Sequence, residues 1–401
     1  MAFIQLLLRF LALFVPRFGL LGAYSTGING FGYHILVDRL SPWQIERLFQ
    51  HLRIVQPAWV NVTAAAQFKE GMQLIERLRA EFPAMGIIWR AWGNDYTHDM
   101  FHPRQIPIDN GVFRKMSPID WYNLRIKPHV EWIKRFNVVV MTDNESLEED
   151  MRLYAQWMAE VMALAKADGI RLAFCRTSTG NPREWNYAEM DQAWRAAAEG
   201  NHIYSPNEGT DPHPQFRSGQ IGRFLRAWAR FLFYIRPFPI TVIGEYAYAV
   251  FDTVAGHVDA HRGWRLSGLT GFQYARLLID QFKMWYAPYG VAVCIFCYGI
   301  WNETPSFGTQ PDQENDESEM FLREVEAAAR RGELRLHVGV RPIDPAHYLD
   351  NTPPPPPPPD NPPPPDDPSE KPPLDTQEMR RILHGIRTAV NDAEELIDEA
   401  A

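Results

Sequence analysis

Phe31-Gly-Tyr-His-Ile-Leu36, then Pro42-Trp-Gln-Ile-Glu-Arg-Leu-Phe-Gln-His-Leu-Arg-Ile-Val55, then Trp59-Val-Asn-Val62 read as a short strand, an amphipathic helix and a second strand. The helical stretch places apolar residues at three- and four-residue steps, whereas the flanking runs are short and apolar. The same alternation continues down the chain. Further strand candidates are Gly86–Trp92, Val138–Thr142, Ile170–Cys175, His202–Ser205, Ile240–Tyr246 and Val291–Ile300. Helical spacing recurs at Phe68–Glu81, Leu147–Ala167, Gln220–Tyr234 and Phe272–Ala287. Several strand runs are near-continuous in Val, Ile, Ala and aromatics, the mark of strands covered on both faces in a parallel sheet. Eight strands alternating with helices over roughly 275 residues predict a (β/α)8 TIM barrel, an α/β fold. A doubly wound open sheet is the competitor, but it usually carries a glycine-rich phosphate loop, and no G-x-G-x-x-G or Walker pattern is present.

The chain has 401 residues, 46% hydrophobic and 22% charged, enough for a large buried core. Charge is unevenly spread. Residues from Asp350 to Ala401 hold 4 Lys/Arg against 12 Asp/Glu, leaving 36 against 37 in residues 1–349. The nearly neutral body has none of the basic bias that nucleic-acid binding requires, and it suits an uncharged ligand. Three cysteines, Cys175, Cys294 and Cys297, make no disulfide framework. Cys294 and Cys297 spell C-x-x-C within an apolar strand, where positions three apart face opposite ways, and no second pair completes a zinc site. They read as buried thiols.

Four regions follow. Met1–Phe18, within an apolar segment 1–26, fits either a signal-like leader or a cap on the barrel; it has no basic residue ahead of the apolar run, Arg9 interrupts it, and Pro16 cuts it short of a bilayer span. An extracellular or surface location follows from the first reading and a cytoplasmic one from the second. Residues 27–349 form the barrel, with a helical extension at Glu314–Arg331 and a short strand at Arg335–Val340. The segment 350–373 holds 14 of the 33 prolines and reads as a semi-rigid spacer, with an SH3-type ligand as the lesser reading. Residues 374–401 return to helix, with Met379, Ile382, Ile386, Ala389, Ala393 and Leu396 on a heptad-like seam that suits self-association or docking to another protein.

Catalytic residues of a barrel sit at the C-terminal ends of its strands. The fourth strand runs into Asp143-Asn144-Glu145-Ser146, and the sixth begins His202-Ile203-Tyr204 and continues to Asn207-Glu208. The seventh ends Ile243-Gly244-Glu245-Tyr246, and the eighth reaches Trp301-Asn302. Glu145 and Glu245 thus face each other across the mouth. Two facing carboxylates are what glycosidic bond cleavage needs, one protonated to assist the leaving oxygen and one ionised to attack. Trp301 could supply a platform for a sugar ring, and Tyr246 or Tyr204 a hydrogen bond that keeps the nucleophile ionised.

This order of motifs resembles the clan A glycoside hydrolases, (β/α)8 enzymes that retain anomeric configuration. The resemblance implies Glu145, after Asn144, as acid/base, Glu245 as nucleophile, Asn144 on the sugar 2-hydroxyl, Tyr204 orienting the nucleophile, and His202 and Trp301 shaping the subsite. It implies a carbohydrate substrate and no cofactor. Two departures stand out. The usual Asn-Glu-Pro is Asn-Glu-Ser here, and the sugar-binding Arg expected near the end of the second strand has its nearest candidate, Arg90, on the third.

Each residue also has a plainer reading. Glu145 stands just before a helix whose first turn favours acids. His202 and Tyr204 suit a core as well as a site, and Trp301 is one of 13 tryptophans. Glu245 is the hardest to dismiss, because an acid closing an apolar strand is costly without a role. His98, Asp99 and His102, on the long loop after the third strand, read as solvated loop residues rather than metal ligands. The alternative function is a catalytically inactive barrel that binds carbohydrate or protein.

Overall fold

A computed structural model describes residues 27–37, 40–64, 68–90, 106–108, 112–114, 117–142, 151–175, 189–210, 239–248, 264–266, 268–299, 308–311 and 316–337. The chain divides into two units, Met1–Asp350 and Asn351–Ala401. The second, with the proline-rich run and the heptad-like seam, lies outside the described residues, as do segment 1–26 and the helix expected at Gln220–Tyr234.

The strands are β1 (Phe31–Leu36), β2 (Trp59–Thr63), β3 (Gly86–Arg90), β4 (Ile106–Ile108), β5 (Val112–Arg114), β6 (Val139–Met141), β7 (Arg171–Phe174), β8 (Ile203–Tyr204), β9 (Asn207–Thr210), β10 (Ile240–Tyr248) and β11 (Ala292–Tyr298). Among them β1, β2, β3, β6, β7, β8, β10 and β11 pair in parallel in that cyclic order, and β10 bonding to β11 closes the ring. The protein is therefore a closed (β/α)8 barrel. β9 continues the line of β8 along β10. β4 and β5 form a separate antiparallel pair within the loop after β3.

Helices follow the strands: α1 (Pro42–Val55), α2 (Phe68–Glu81), α3 (Pro118–Arg125), α4 (Val130–Phe136), α5 (Met151–Ala167), α6 (Asp191–Glu199), α7 (Gly271–Trp285) and α8 (Glu317–Arg330). Local chemistry sets their starts. Ser41 and Gln44 make a reciprocal capping box before α1, with Pro42 in its first turn, and Thr270 and Gln273 repeat the device at α7. Ser117 caps α3, and Asp316 caps α8. The segment expected to form a strand at Arg335–Val340 shows an isolated antiparallel bridge from Arg335 to Asn29, and residues 338–340 lie outside the described set.

Alternation along each strand sorts the side chains into two layers. Outward residues pack under the helices: Phe31 meets Phe282 of α7 at 5.6 Å, and Trp89 meets Trp132 of α4 at 4.7 Å. Inward residues fill the barrel. At its strand-start end the Trp59 indole occupies the interior, and Gly86 makes room for it, since a Cβ there would lie 2.3 Å from the ring. All three cysteines are free and buried. On the helix side of β1, the Tyr33 hydroxyl bonds His51 at 2.7 Å, and His51 Nδ1 lies 2.9 Å from Glu326 of α8. Arg47 ties Glu326 and Glu319 together at 2.8 Å each, so α1, α8 and β1 are locked to one another. Among the described residues no helix is long and apolar enough to cross a membrane.

Candidate active site

An extra residue in β10 decides where Glu245 points. Ile243 pairs with Val293 of β11, which pairs with Phe31, a residue whose ring lies under α7. Ile243 thus faces the helices, and strict alternation would send Glu245 the same way. Instead the register shifts by one residue against both neighbours. Ile243 and Tyr246 oppose Val293 and Ile295 on one side, while Thr241 and Glu245 oppose Tyr204 and Asn207 on the other. A β-bulge of this kind re-aims a side chain. Here it turns Glu245 into the mouth and returns Tyr246 to the helix layer.

The Glu245 side chain is 18% exposed, open to the mouth but held from behind. Its Oε1 faces His34 Nδ1 at 3.4 Å, and its Oε2 accepts a hydrogen bond from Asn207 Nδ2 at 3.2 Å. His34, on β1, is buried, and its Nε2 is 2.8 Å from the Thr63 hydroxyl on β2. The Phe296 ring of β11 lies 5.3 Å from the imidazole. Arg90, paired with Thr63 across β2 and β3, is buried on the interior face that also carries Gly86. Deeper in the barrel Asn61 reaches toward the Gly244 carbonyl at 3.5 Å. Burial pushes the Cys297 thiol far above its ordinary pKa, and the nearby Glu245 charge adds to that shift.

Other residues expected at the mouth lie elsewhere. His202 precedes β8 at the opposite end of the barrel, where Nδ1 accepts the Leu172 N–H at 3.0 Å and Nε2 donates to the Met162 carbonyl at 3.1 Å. Burial lowers its pKa to about 3. The Tyr204 ring packs on Trp194 of α6 at 4.6 Å and on Phe174 at 6.0 Å, so it belongs to the shell between sheet and helix. The Tyr246 hydroxyl donates to Gln281 Oε1 of α7 at 2.9 Å. These placements correct the expectation that His202, Tyr204 and Tyr246 line the subsite: each sits on the helix side or at the strand-start end. Arg90 does lie on the third barrel strand, and the second strand ends in Thr63. Asn144, Glu145 and Trp301 lie outside the described residues, as do His98, Asp99 and His102.

The residues around Glu245 that the motif reading passed over are His34, Thr63, Asn207 and Phe296. A signal for His34 existed, an imidazole in an apolar strand out of phase with Phe31, Tyr33 and Ile35. Asn207 was visible as a second Asn-Glu pair, although here its amide serves Glu245 and its neighbour Glu208 turns away, accepting from the Tyr286 hydroxyl at 2.6 Å. Among the described residues no group of three or more His, Cys, Asp or Glu could hold a metal ion.

The fold and this site define a (β/α)8-barrel protein with a carboxylate presented at the C-terminal mouth of the seventh strand. No protein-family model matches the sequence, and no curated protein matches it. Solved structures do resemble it. An endo-β-1,4-glucanase from Xanthomonas axonopodis pv. citri aligns at 12% identity and TM-score 0.46, covering 76% of this chain and 99% of its own. A GH113 β-1,4-mannanase aligns at 11% and 0.44, covering 77% and 99%. An endo-β-1,4-mannanase from Thermotoga petrophila aligns at 10% and 0.39, covering 77% and 78%.

Proposed function

We propose that the protein is a glycoside hydrolase that cleaves O-glycosidic bonds of a poly- or oligosaccharide with retention of configuration. The observation that carries this reading is the bulge-directed Glu245, open at the mouth and faced on both oxygens by nitrogen groups. A carboxylate so held is aimed at the mouth, as a nucleophile must be. Glu145 follows the fourth barrel strand by four residues and is our acid/base. In the first step Glu245 attacks the anomeric carbon while Glu145 gives its proton to the leaving oxygen. In the second, Glu145 takes a proton from water, which displaces Glu245 from the sugar. Asn144 and Arg90 would bind hydroxyls, and Trp301 would underlie a ring. The proline-rich run 350–373 would then be a spacer to a docking helix at 374–401.

The test is turnover of a panel containing β-1,4-glucan, β-1,4-mannan and aryl glycosides, with product anomers followed by proton NMR. We expect retained configuration on at least one substrate. Glu245→Ala should lose at least about 10³-fold in kcat, and added azide should restore part of the rate by forming a glycosyl azide of inverted configuration. A folded wild type that binds glycan but turns over nothing in the panel would leave the inactive-barrel reading standing instead.

A further inference from the structure

We propose that Thr63 and His34 form a relay that aims Glu245, with imidazole Nδ1 presenting N–H to the carboxylate and the Thr63 hydroxyl holding the ring by donating to Nε2. The catalytic consequence rests on Glu245 being the nucleophile; the relay itself does not. His34 is 1% exposed and lies behind Glu245, so a ligand at the mouth would meet the carboxylate and not the ring. His34 is therefore a positioning residue.

The logic follows from donor and acceptor inventory. A neutral imidazole offers one N–H and one lone pair. Its Nε2 lies 2.8 Å from the Thr63 hydroxyl and its Nδ1 3.4 Å from Glu245 Oε1. An ionised carboxylate only accepts, so a lone pair on Nδ1 would repel it. The carboxylate thus fixes the proton on Nδ1, and the Thr63 hydroxyl, which can donate as well as accept, donates to the lone pair left on Nε2. If the ring takes a second proton, Thr63 turns to accept, and Nδ1 still donates. Asn207 supplies the matching N–H to Oε2. Other charged or titratable groups on the surrounding strands are Arg90 on β3 and Cys294 and Cys297 on β11, while Tyr33, Tyr246 and Tyr298 bond toward the helices and Glu208 of β9 accepts from Tyr286.

The relay is built on rigid parts. It crosses from β2 through β1 to β10, and β1 is bonded to β2 and β11 along its two edges. The Phe296 ring packs against the imidazole. The next residue outward, Tyr33, is pinned through His51 to Glu326, so the backbone carrying His34 is fixed from the helix side as well. A ring gripped this way can fix the direction of its N–H better than a surface side chain could.

The experiment has two arms on the full chain. In the first, long-range proton–nitrogen NMR of imidazole nitrogens at pH 7 assigns His34 by its loss in His34→Asn. We expect Nδ1–H in the wild type and in Thr63→Ser, and Nε2–H in Glu245→Ala, where the accept-only carboxylate is gone and the Thr63 hydroxyl can accept. Nε2–H in the wild type overturns the relay without needing any variant to fold. In the second arm, on whichever glycan is turned over, Thr63→Val should lower kcat about 3- to 10-fold, the size of a lost neutral hydrogen bond, with KM little changed. Thr63→Ser should recover most of that loss. Equal rates for folded Thr63→Val and Thr63→Ser would overturn the relay. A wild type without turnover would instead sink the glycosidase reading, and the NMR arm would still decide the relay.

Discussion

The two ends of the barrel each bury a histidine, and the two serve opposite purposes. At the strand-start end, His202 has both nitrogens satisfied by backbone groups, the Leu172 N–H and the Met162 carbonyl. Its tautomer is thereby set and burial holds it neutral, with a pKa near 3. At the mouth, His34 faces the Glu245 carboxylate on one nitrogen and a rotatable hydroxyl, that of Thr63, on the other. Both rings are fully enclosed, so burial does not separate scaffold from site. The partner does: a backbone partner stabilises one state, while an ionisable partner open to the mouth can take part in chemistry.

The largest expected effect tests the mouth. Glu245→Gln should cut kcat by at least about 10³-fold while moving the unfolding free energy by under about 1 kcal/mol; a large stability loss measured in urea would make Glu245 scaffold. Next comes the shell around Tyr204. Trp194→Ala removes the indole that packs on Phe174 and Tyr204, and should cost about 3–5 kcal/mol in urea unfolding.

His202 supplies a pH signature at the other end. Its folded pKa, about 3, lies below the ordinary histidine value, so the unfolded chain takes the proton first. The stability it contributes is complete above about pH 6.5 and falls by about 1.4 kcal/mol per pH unit as acid is added toward the folded pKa. Urea midpoints from pH 6.5 to 4 should show this slope flattened by that amount in His202→Gln. His51, also lowered by burial, contributes in the same direction in both proteins. The smallest effect is expected of Tyr246→Phe, which removes one hydrogen bond to Gln281. It should cost about 1 kcal/mol and leave kcat within about twofold; a hundredfold loss would place that hydroxyl in the chemistry.

Much of the scaffold was legible in the chain. Phe31–Leu36, Pro42–Val55 and Phe68–Glu81 appear with the bounds that periodicity predicts, and all eight barrel strands lie on their predicted runs. Such runs report burial and helical phase, which neighbouring residues encode locally. One strand's ends were less well placed: Val291 and Gly299 of the expected Val291–Ile300 fall outside the strand, which runs Ala292–Tyr298.

Which face each side chain takes was not legible. Glu245 and Tyr246 are neighbours on one strand and both were candidates for the mouth, yet only Glu245 reaches it. The deciding feature is an extra residue in β10, and a bulge exists only relative to the partners β8, β9 and β11, which lie far off in sequence. In the same way Thr63 stands 29 residues from His34 and Asn207 stands 38 from Glu245, and the four meet only because the ring closes. Periodicity along one chain thus specified the eight-fold barrel and an acid at the end of its seventh strand. Pairing between strands, a non-local matter of register, chose the direction of that acid and the company it keeps.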